Sequence, residues 1–376
     1  MQRADKEAAA DSLMSEFARR TGLASAGPQH RYLWTDSFAV FNLLALFRQT
    51  NNQHYGDLVR ALIEQVHQVL GRHRLDNARS GWLSGLPERE GAEHPTLGGL
   101  RIGKPLPERG ADEPPNARLE WDRDGQYFHY LTKWMDALSR AGLILDEDRF
   151  SRFSLEMAKS IFPHFLRATH SGEPVGLFWK MSIDLARAQV SGMNPHDALD
   201  GYVTFRRISN AAQSETLQRE IGILRKLSNN QTWETDDPLG LGGLLMDVFH
   251  LVVLPDRTAG DDQIISDVLF GVAVGFQQYM RSNPFSMPSS QRLAFRELGL
   301  AIGLQVLPAV TAAIDKDAGS LSTVRQAIRS LQMYISGGRE IVEFWANEHQ
   351  RTSSLWQDHR DINDVMLATA LLHAYG

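Results

Sequence analysis

The sequence predicts an all-helical protein: a single domain over residues 1–376 in which six helical hairpins close into a ring. Three observations predict it. Sustained period-2 alternation is nearly absent, and no Asn-Gly or Asp-Gly turn joins two β-branched runs. Apolar residues recur at helical spacing along almost the whole chain. The helical segments also alternate between two kinds, one with a charged face and one apolar nearly all round.

Taken in order, the segments with a charged face are 6–22, 54–73, 147–167, 213–229, 262–282 and 321–347. They are expected on the outside, because a helix with one polar face sits at a surface. The apolar segments are 35–49, 123–141, 177–190, 238–254, 289–307 and 361–374, expected inside. Outer then inner, six times over, is the pattern of an (α/α)6 toroid. Residues 195–206 are expected to be an extra helical excursion between hairpins three and four. There Asn194-Pro195-His196-Asp197, with Asp200 one turn on, has the composition of a turn and a helix start.

The inner helices open with polar and aromatic clusters: Leu33-Trp34-Thr35-Asp36, Glu120-Trp121-Asp122-Arg123-Asp124, Phe178-Trp179-Lys180, Asp236-Asp237-Pro238, Ser289-Ser290-Gln291-Arg292 and His359-Arg360-Asp361-Ile362-Asn363. Capping accounts for the Thr, Asp and Ser residues, and Pro238 fits the first helical position. Capping does not account for the tryptophans or the cations. In a ring of antiparallel hairpins all six inner N-termini emerge at one end, so these clusters are expected to line one funnel. The long irregular stretch 74–122, rich in Gly and Pro, joins the second outer helix to the second inner one. A loop of that length in a compact domain is usually functional or disordered. Its apolar centre, Leu97 to Lys104, is expected to order over the funnel as a short hairpin.

Composition narrows the function. The chain has 376 residues, 43% hydrophobic and 22% charged, enough apolar material for a large core. A net charge of −6 supplies no basic face for nucleic acid. There is no cysteine, which excludes disulfides, thiolate catalysis, iron–sulfur clusters and cysteine zinc sites. The first thirty residues lack a signal-peptide series, and no apolar run is expected to reach the roughly 18 residues of a membrane span. The expected compartment is the cytoplasm.

Acids and tryptophans at the starts of six inner helices resemble the six-hairpin toroid superfamily, which includes many glycoside hydrolases, polysaccharide lyases and N-acylglucosamine 2-epimerase relatives. The resemblance is architectural and spans nearly the whole chain. It implies a sugar-handling funnel, and no family's catalytic residues are carried over. Strings such as Arg31-Tyr32-Leu33-Trp34-Thr35-Asp36 match no characterised catalytic motif.

The candidate residues follow from their chemistry. Two acids near one site suit acid–base work, because repulsion and burial can separate their pKa values. Asp122 and Asp124 fit this, and so do Asp36 and Asp361. Gln126 and His129 lie three apart on one helix face. His129 and His359 are the histidines placed at the expected mouth; His164 and His250 fall in helix interiors, as core histidines would. The catalytic set is therefore Asp36, Asp122, Asp124, His129, His359 and Asp361. For substrate binding the candidates are Arg31, Trp34, Trp82, Arg101, Lys104, Trp121, Gln126, Trp179, Lys180 and Asn363. The tryptophan faces suit sugar rings, and the cations suit a carboxylate or phosphate. Gly98-Gly99 to Lys104 is not a phosphate-binding P-loop, since no Ser or Thr follows the lysine. No His-Glu-x-x-His string is present, and no metal or cofactor is expected; two histidines with acids across the funnel leave a metal site as an alternative.

These readings point to a carbohydrate-active enzyme acting on a sugar or sugar acid, by hydrolysis, elimination or epimerisation. Its partner would be a small molecule, with neither nucleic acid nor membrane involved. In the hydrolytic case two carboxyl groups act together; in the epimerase case His129 and His359 trade a proton at a sugar carbon. The alternative is a non-catalytic helical toroid that binds a small molecule or a protein.

Overall fold

A computed structural model describes residues 2–25, 27–190, 192, 195–229, 231–316 and 322–375. Asn194 of the expected turn and Leu321 at the start of an expected helix lie outside the described residues. The described chain is all-α and built of helical hairpins. Its helices are α1 (Arg3–Arg20), α2 (Leu33–Thr50), α3 (Gln53–Leu70), α4 (Glu88–Glu93), α5 (Ala117–Glu120), α6 (Phe128–Leu145), α7 (Asp148–Phe165), α8 (Pro195–Ala211), α9 (Gln218–Ser228), α10 (Pro238–Val252), α11 (Ala259–Met280), α12 (Ala294–Lys316), α13 (Ser322–Gln332), α14 (Ile335–Ala346), α15 (Ser354–Asp358) and α16 (Arg360–Leu372). Five short strands join them: β1 (Gln126–Tyr127), β2 (Leu166–Ala168), β3 (Pro174–Leu177), β4 (Lys180–Met181) and β5 (Ala188–Val190). The chain falls into two compact units, a middle unit of Ala18–Ser228 and a terminal unit of Met1–Phe17 with Asn229–Gly376.

In the middle unit, α2 packs on α3, α6 on α7 and α8 on α9, while α6 also lies against both α2 and α8. Outer helices bury one stripe. In α7 the buried residues are Phe150, Phe153, Ser154, Met157, Ala158, Ile161, Phe162 and Phe165, the i, i+3, i+4 repeat of an amphipathic helix. Inner helices bury most of their surface, as α2 does from Leu33 through Leu44. The turn from α2 to α3 is set by Asn51, in the left-handed region at φ 54°, and by Asn52, whose side chain accepts from the His54 amide at 3.0 Å.

The third inner helix is not where the sequence pattern places it. Residues 177–190 form strands and turns, and the expected excursion at 195 is the inner helix α8. The strand content is thus higher than the pattern suggests, with two small sheets ordered β1-β4-β5 and β2-β3. Register pairs Gln126 with Met181 and Tyr127 with Lys180. Residues 97–104 form no hairpin. They are held as irregular chain by bonds from Leu33 N to Ile102 O, Ile102 N to Gly125 O and Arg101 N to Leu70 O, with Leu100 and Ile102 fully buried.

In the terminal unit α10 packs on α11 and on α12, and α12 packs on α14 and α16. The α10–α12 crossing is backbone on backbone. A Cβ at Gly242 would stand 2.1 Å from the Gly299 carbonyl oxygen, so only glycine fits. Arg360 of α16 lies 3.9 Å from Glu16 of α1, which brings the first and last helices of the chain into one unit. The expected outer segment 321–347 is two helices, α13 and α14. One further expectation is corrected. The stretch Ala294–Asp315 within α12 is long and apolar enough to cross a membrane, with mean hydropathy 1.6, but 67% of it is buried inside the fold, as a core helix is.

Candidate functional site

The first turns of α2, α6 and α8 meet in the middle unit. Trp34 of α2 lies with its ring centroid 5.3 Å from Tyr130 and 6.3 Å from His129, both in the first turn of α6. Asp197, in the first turn of α8, places Oδ1 3.7 Å from His129 Nδ1. The short sheet adds the next wall: pairing of β1 with β4 sets Tyr127 4.9 Å from Trp179, and Trp179 is edge-on to Trp121 at 5.1 Å. Tyr32, just before α2, shares a 2.7 Å hydroxyl contact with Tyr130. The result is a cup of aromatic rings, graded from Trp34, 9% exposed, to Trp121, 55% exposed.

Among the described residues, four polar atoms in this cup are buried without a hydrogen-bond partner: Trp34 Nε1, Tyr127 Oη, His129 Nδ1 and Asp197 Oδ2. Buried polar groups are nearly always satisfied, so four orphans in one cluster of touching residues single this cluster out as the candidate site. The ligand they would suit offers both donors and acceptors and presents flat apolar faces to the rings.

Electrostatics separate the two titrating groups. Burial pushes the Asp197 carboxyl up to about 7, helped by the neighbouring Asp200 and opposed by His196 and Lys133. Burial also pulls the His129 imidazole down to about 3; Asp200 opposes this, while His196 and Lys133 add to it. The ring keeps 24% of its side-chain surface accessible and is neutral at pH 7. Asp200 itself is committed, accepting from Lys133 Nζ and from Thr132 Oγ1. Burial raises the Tyr127 phenol, with Tyr32 and Glu120 adding to the shift, so it stays a protonated donor.

Of the residues named from sequence, Trp34, His129, Trp179 and Trp121 stand in the cup, and Lys104 holds its ammonium 5.3 Å from the centre of the Tyr32 ring at its edge. Others have structural work. Asp124 is fully buried and accepts from Arg101 Nη1, from Arg74 Nη1 at 3.4 Å, and from the amides of Gly103 and Gly125 at 3.0 Å. It anchors the loop, and Arg101 serves the same clamp. Asp36 accepts from Arg31 Nη1 at 3.3 Å and from the Tyr32 amide at 2.9 Å, so this pair fixes the start of α2. Asp122 is exposed, and its backbone carbonyl accepts from the Leu106 amide. Trp82 is buried under Arg72 and donates to the Glu88 carbonyl. Gln126 donates to the carbonyls of Gly98 and Ile183. Lys180 is fully buried and donates to the carbonyls of Glu120 at 2.7 Å and Arg123 at 2.8 Å.

The remaining three lie in the terminal unit, where the first turns of α12 and α16 also meet. Asn363 accepts from the Phe295 amide at 2.9 Å and donates to the Trp356 carbonyl at 3.1 Å, which ties α16 to α12. His359 packs edge-on to Phe295 at 5.7 Å, Asp361 is half-buried, and Arg296 pairs with Asp237 at 2.6 Å. Asp197 and Asp200 are residues that sequence reasoning reads only as part of a turn and a helix start. Their signal is the acidic i, i+3 pair at a helix start, visible only once α8 is recognised as an inner helix. Among the described residues no three His, Asp or Glu side chains gather as a metal site would require. Two surface cavities, of about 260 and 650 Å³, are lined by terminal-unit residues.

No known protein family matches the chain, and no curated protein matches it in sequence. Among solved structures it is similar to the cellobiose 2-epimerase of Spirochaeta thermophila, at 10% identity over 87% of this chain and 85% of that one, with a TM-score of 0.48. It is similar also to the cellobiose 2-epimerase of Bacillus thermoamylovorans, at 8% identity over 82% and 76% of the two chains, with a TM-score of 0.46. An unsaturated glucuronyl hydrolase specific for heparin aligns at 10% identity over 70% and 82%, with a TM-score of 0.34. The resemblance is one of architecture.

Proposed function

We propose that the chain is a carbohydrate-active enzyme whose cup in the middle unit takes a sugar ring and moves a proton on it. The observation that carries this reading is the set of four unsatisfied polar atoms among stacked aromatic rings. Sugars combine apolar faces with dense hydroxyls, and that is what such a lining recognises. Asp197, pushed up to about 7, is matched to taking and returning a proton near neutral pH, while His129, held neutral by burial, offers the sugar ring a hydrogen bond. A titrating carboxyl 3.7 Å from a neutral imidazole suits abstraction from one position of a bound ring and return to that position or a neighbouring one, as in epimerisation or elimination. Hydrolysis by two carboxyl groups is less well supported, because Asp200 is neutralised by Lys133.

The test is incubation with aldoses, uronic acids and their short oligosaccharides in deuterated water, followed by proton NMR. The reading expects one ring C–H signal to fade or an unsaturated product to appear. Asp197→Asn should slow this by about a hundredfold or more. Retention of every C–H signal across the panel with the wild-type protein counts against it.

A further inference from the structure

We infer that the sugar taken by the cup carries an anionic group, a carboxylate or a phosphate, and that Lys104 recognises it; this rests on the cup reading above. The backbone at Lys104 is fixed from three sides. Gly103 stands at φ 92°, and a Cβ there would lie 2.2 Å from the Arg31 carbonyl oxygen, so the chain passes flush against the start of α2. The Lys104 amide donates to Asp124 Oδ1 at 3.4 Å, and its carbonyl accepts from Arg74 Nη1 at 2.7 Å. The side chain is thereby aimed at the cup, with Nζ over the face of Tyr32, whose hydroxyl meets that of Tyr130.

What distinguishes Lys104 is its lack of a counter-ion. The neighbouring cations are spoken for: Arg31 by Asp36, Arg74 and Arg101 by Asp124, Arg109 and Lys180 by Glu120, and Lys133 by Asp200. Among the described residues no carboxylate lies within ion-pair distance of Lys104, which is half-buried and meets only a ring face. A partly desolvated ammonium over the Tyr32 ring, separated from His129 by the rings of Tyr32 and Tyr130, is placed for a charge that arrives with the ligand.

The probes are glucose, glucuronate and glucose 6-phosphate, titrated into the full chain by calorimetry at low and at raised ionic strength. Expected is an affinity for glucuronate or the phosphate about tenfold or more above that for glucose, weakening with salt. The stronger of the two anions identifies the group. Lys104→Met should bring that anion down to the level of glucose with an unchanged melting curve, and Lys104→Arg should retain the preference. Equal binding of glucose and both anions, or a preference that survives Lys104→Met, overturns the inference and leaves the cup reading standing. Absence of binding by all three overturns both.

Discussion

Removing the charge from Asp197 should stabilise the protein, and by an amount that depends on pH. The carboxyl is pushed from 3.8 to about 7 by burial. A group whose folded pKa is raised gives stability that is fully present below its unfolded pKa and is lost as pH rises through the folded one. At about 1.4 kcal/mol per unit, ionising Asp197 in the folded state costs on the order of 4 kcal/mol above pH 7. At about pH 5 the folded carboxyl is still protonated, so about 3 kcal/mol of that loss falls between about pH 5 and about pH 8. An asparagine side chain in its place does not titrate and fills nearly the same volume. Denaturant unfolding of wild type and Asp197→Asn at the two pH values should therefore show a gain of about 1–2 kcal/mol at the lower pH. At the higher one the gain should reach on the order of 4 kcal/mol. His129 gives the opposite slope, since its lowered pKa makes stability rise with pH through the range from about 3 to 6.5, but that slope is common to both proteins and cancels in the comparison. A difference that is the same at both pH values, or a variant less stable at the higher one, would refute the reasoning.

Asp124→Asn should do the reverse of what a catalytic acid would do. Its partners Arg101 and Arg74 would be left buried without their counter-ion, so stability should fall by about 3 kcal/mol in denaturant unfolding; a neutral or stabilised variant would return Asp124 to the catalytic candidates. Gly99→Ala places a Cβ 2.0 Å from Gln126 Oε1 at φ 69°, and should cost about 1–3 kcal/mol by the same measurement. An unchanged midpoint would mean that the loop is not fixed to Gln126.

How much of this is legible in the sequence depends on what periodicity can see. The stripes of α3 and α7 and the all-round burial of α2 and α10 come directly from apolar spacing. The third hairpin does not, because apolarity alone cannot separate a buried strand run from a buried helix. Residues 177–190 look more like core than α8 does. Helix α8 buries Asp197, Asp200, Thr204 and Arg206, tolerated because Asp200 meets Lys133 and Arg206 donates to Tyr202. Such compensation is tertiary and leaves no local pattern. Asp124 is hard to place for a related reason: the acid is plain in the sequence, but the fold of the loop that lays Arg101 over it is not. His129, Trp34 and Trp179 are legible because aromatic and polar residues at the start of an apolar helix, or of a run that resembles one, lack a capping explanation.

The central claim is that the ligand sits among Trp34, Tyr127, His129 and Asp197. The chain has eight tryptophans, and their indole N–H signals report on separate places. Titrating a bound sugar into nitrogen-labelled protein, with each indole assigned by substitution, tests the claim directly. The account predicts that Trp34 Nε1, which has no partner among the described residues, shifts most, with Trp179 and Trp121 following. Movement confined to Trp233 and Trp356, which line the two cavities of the terminal unit, with Trp34 unchanged, would contradict it.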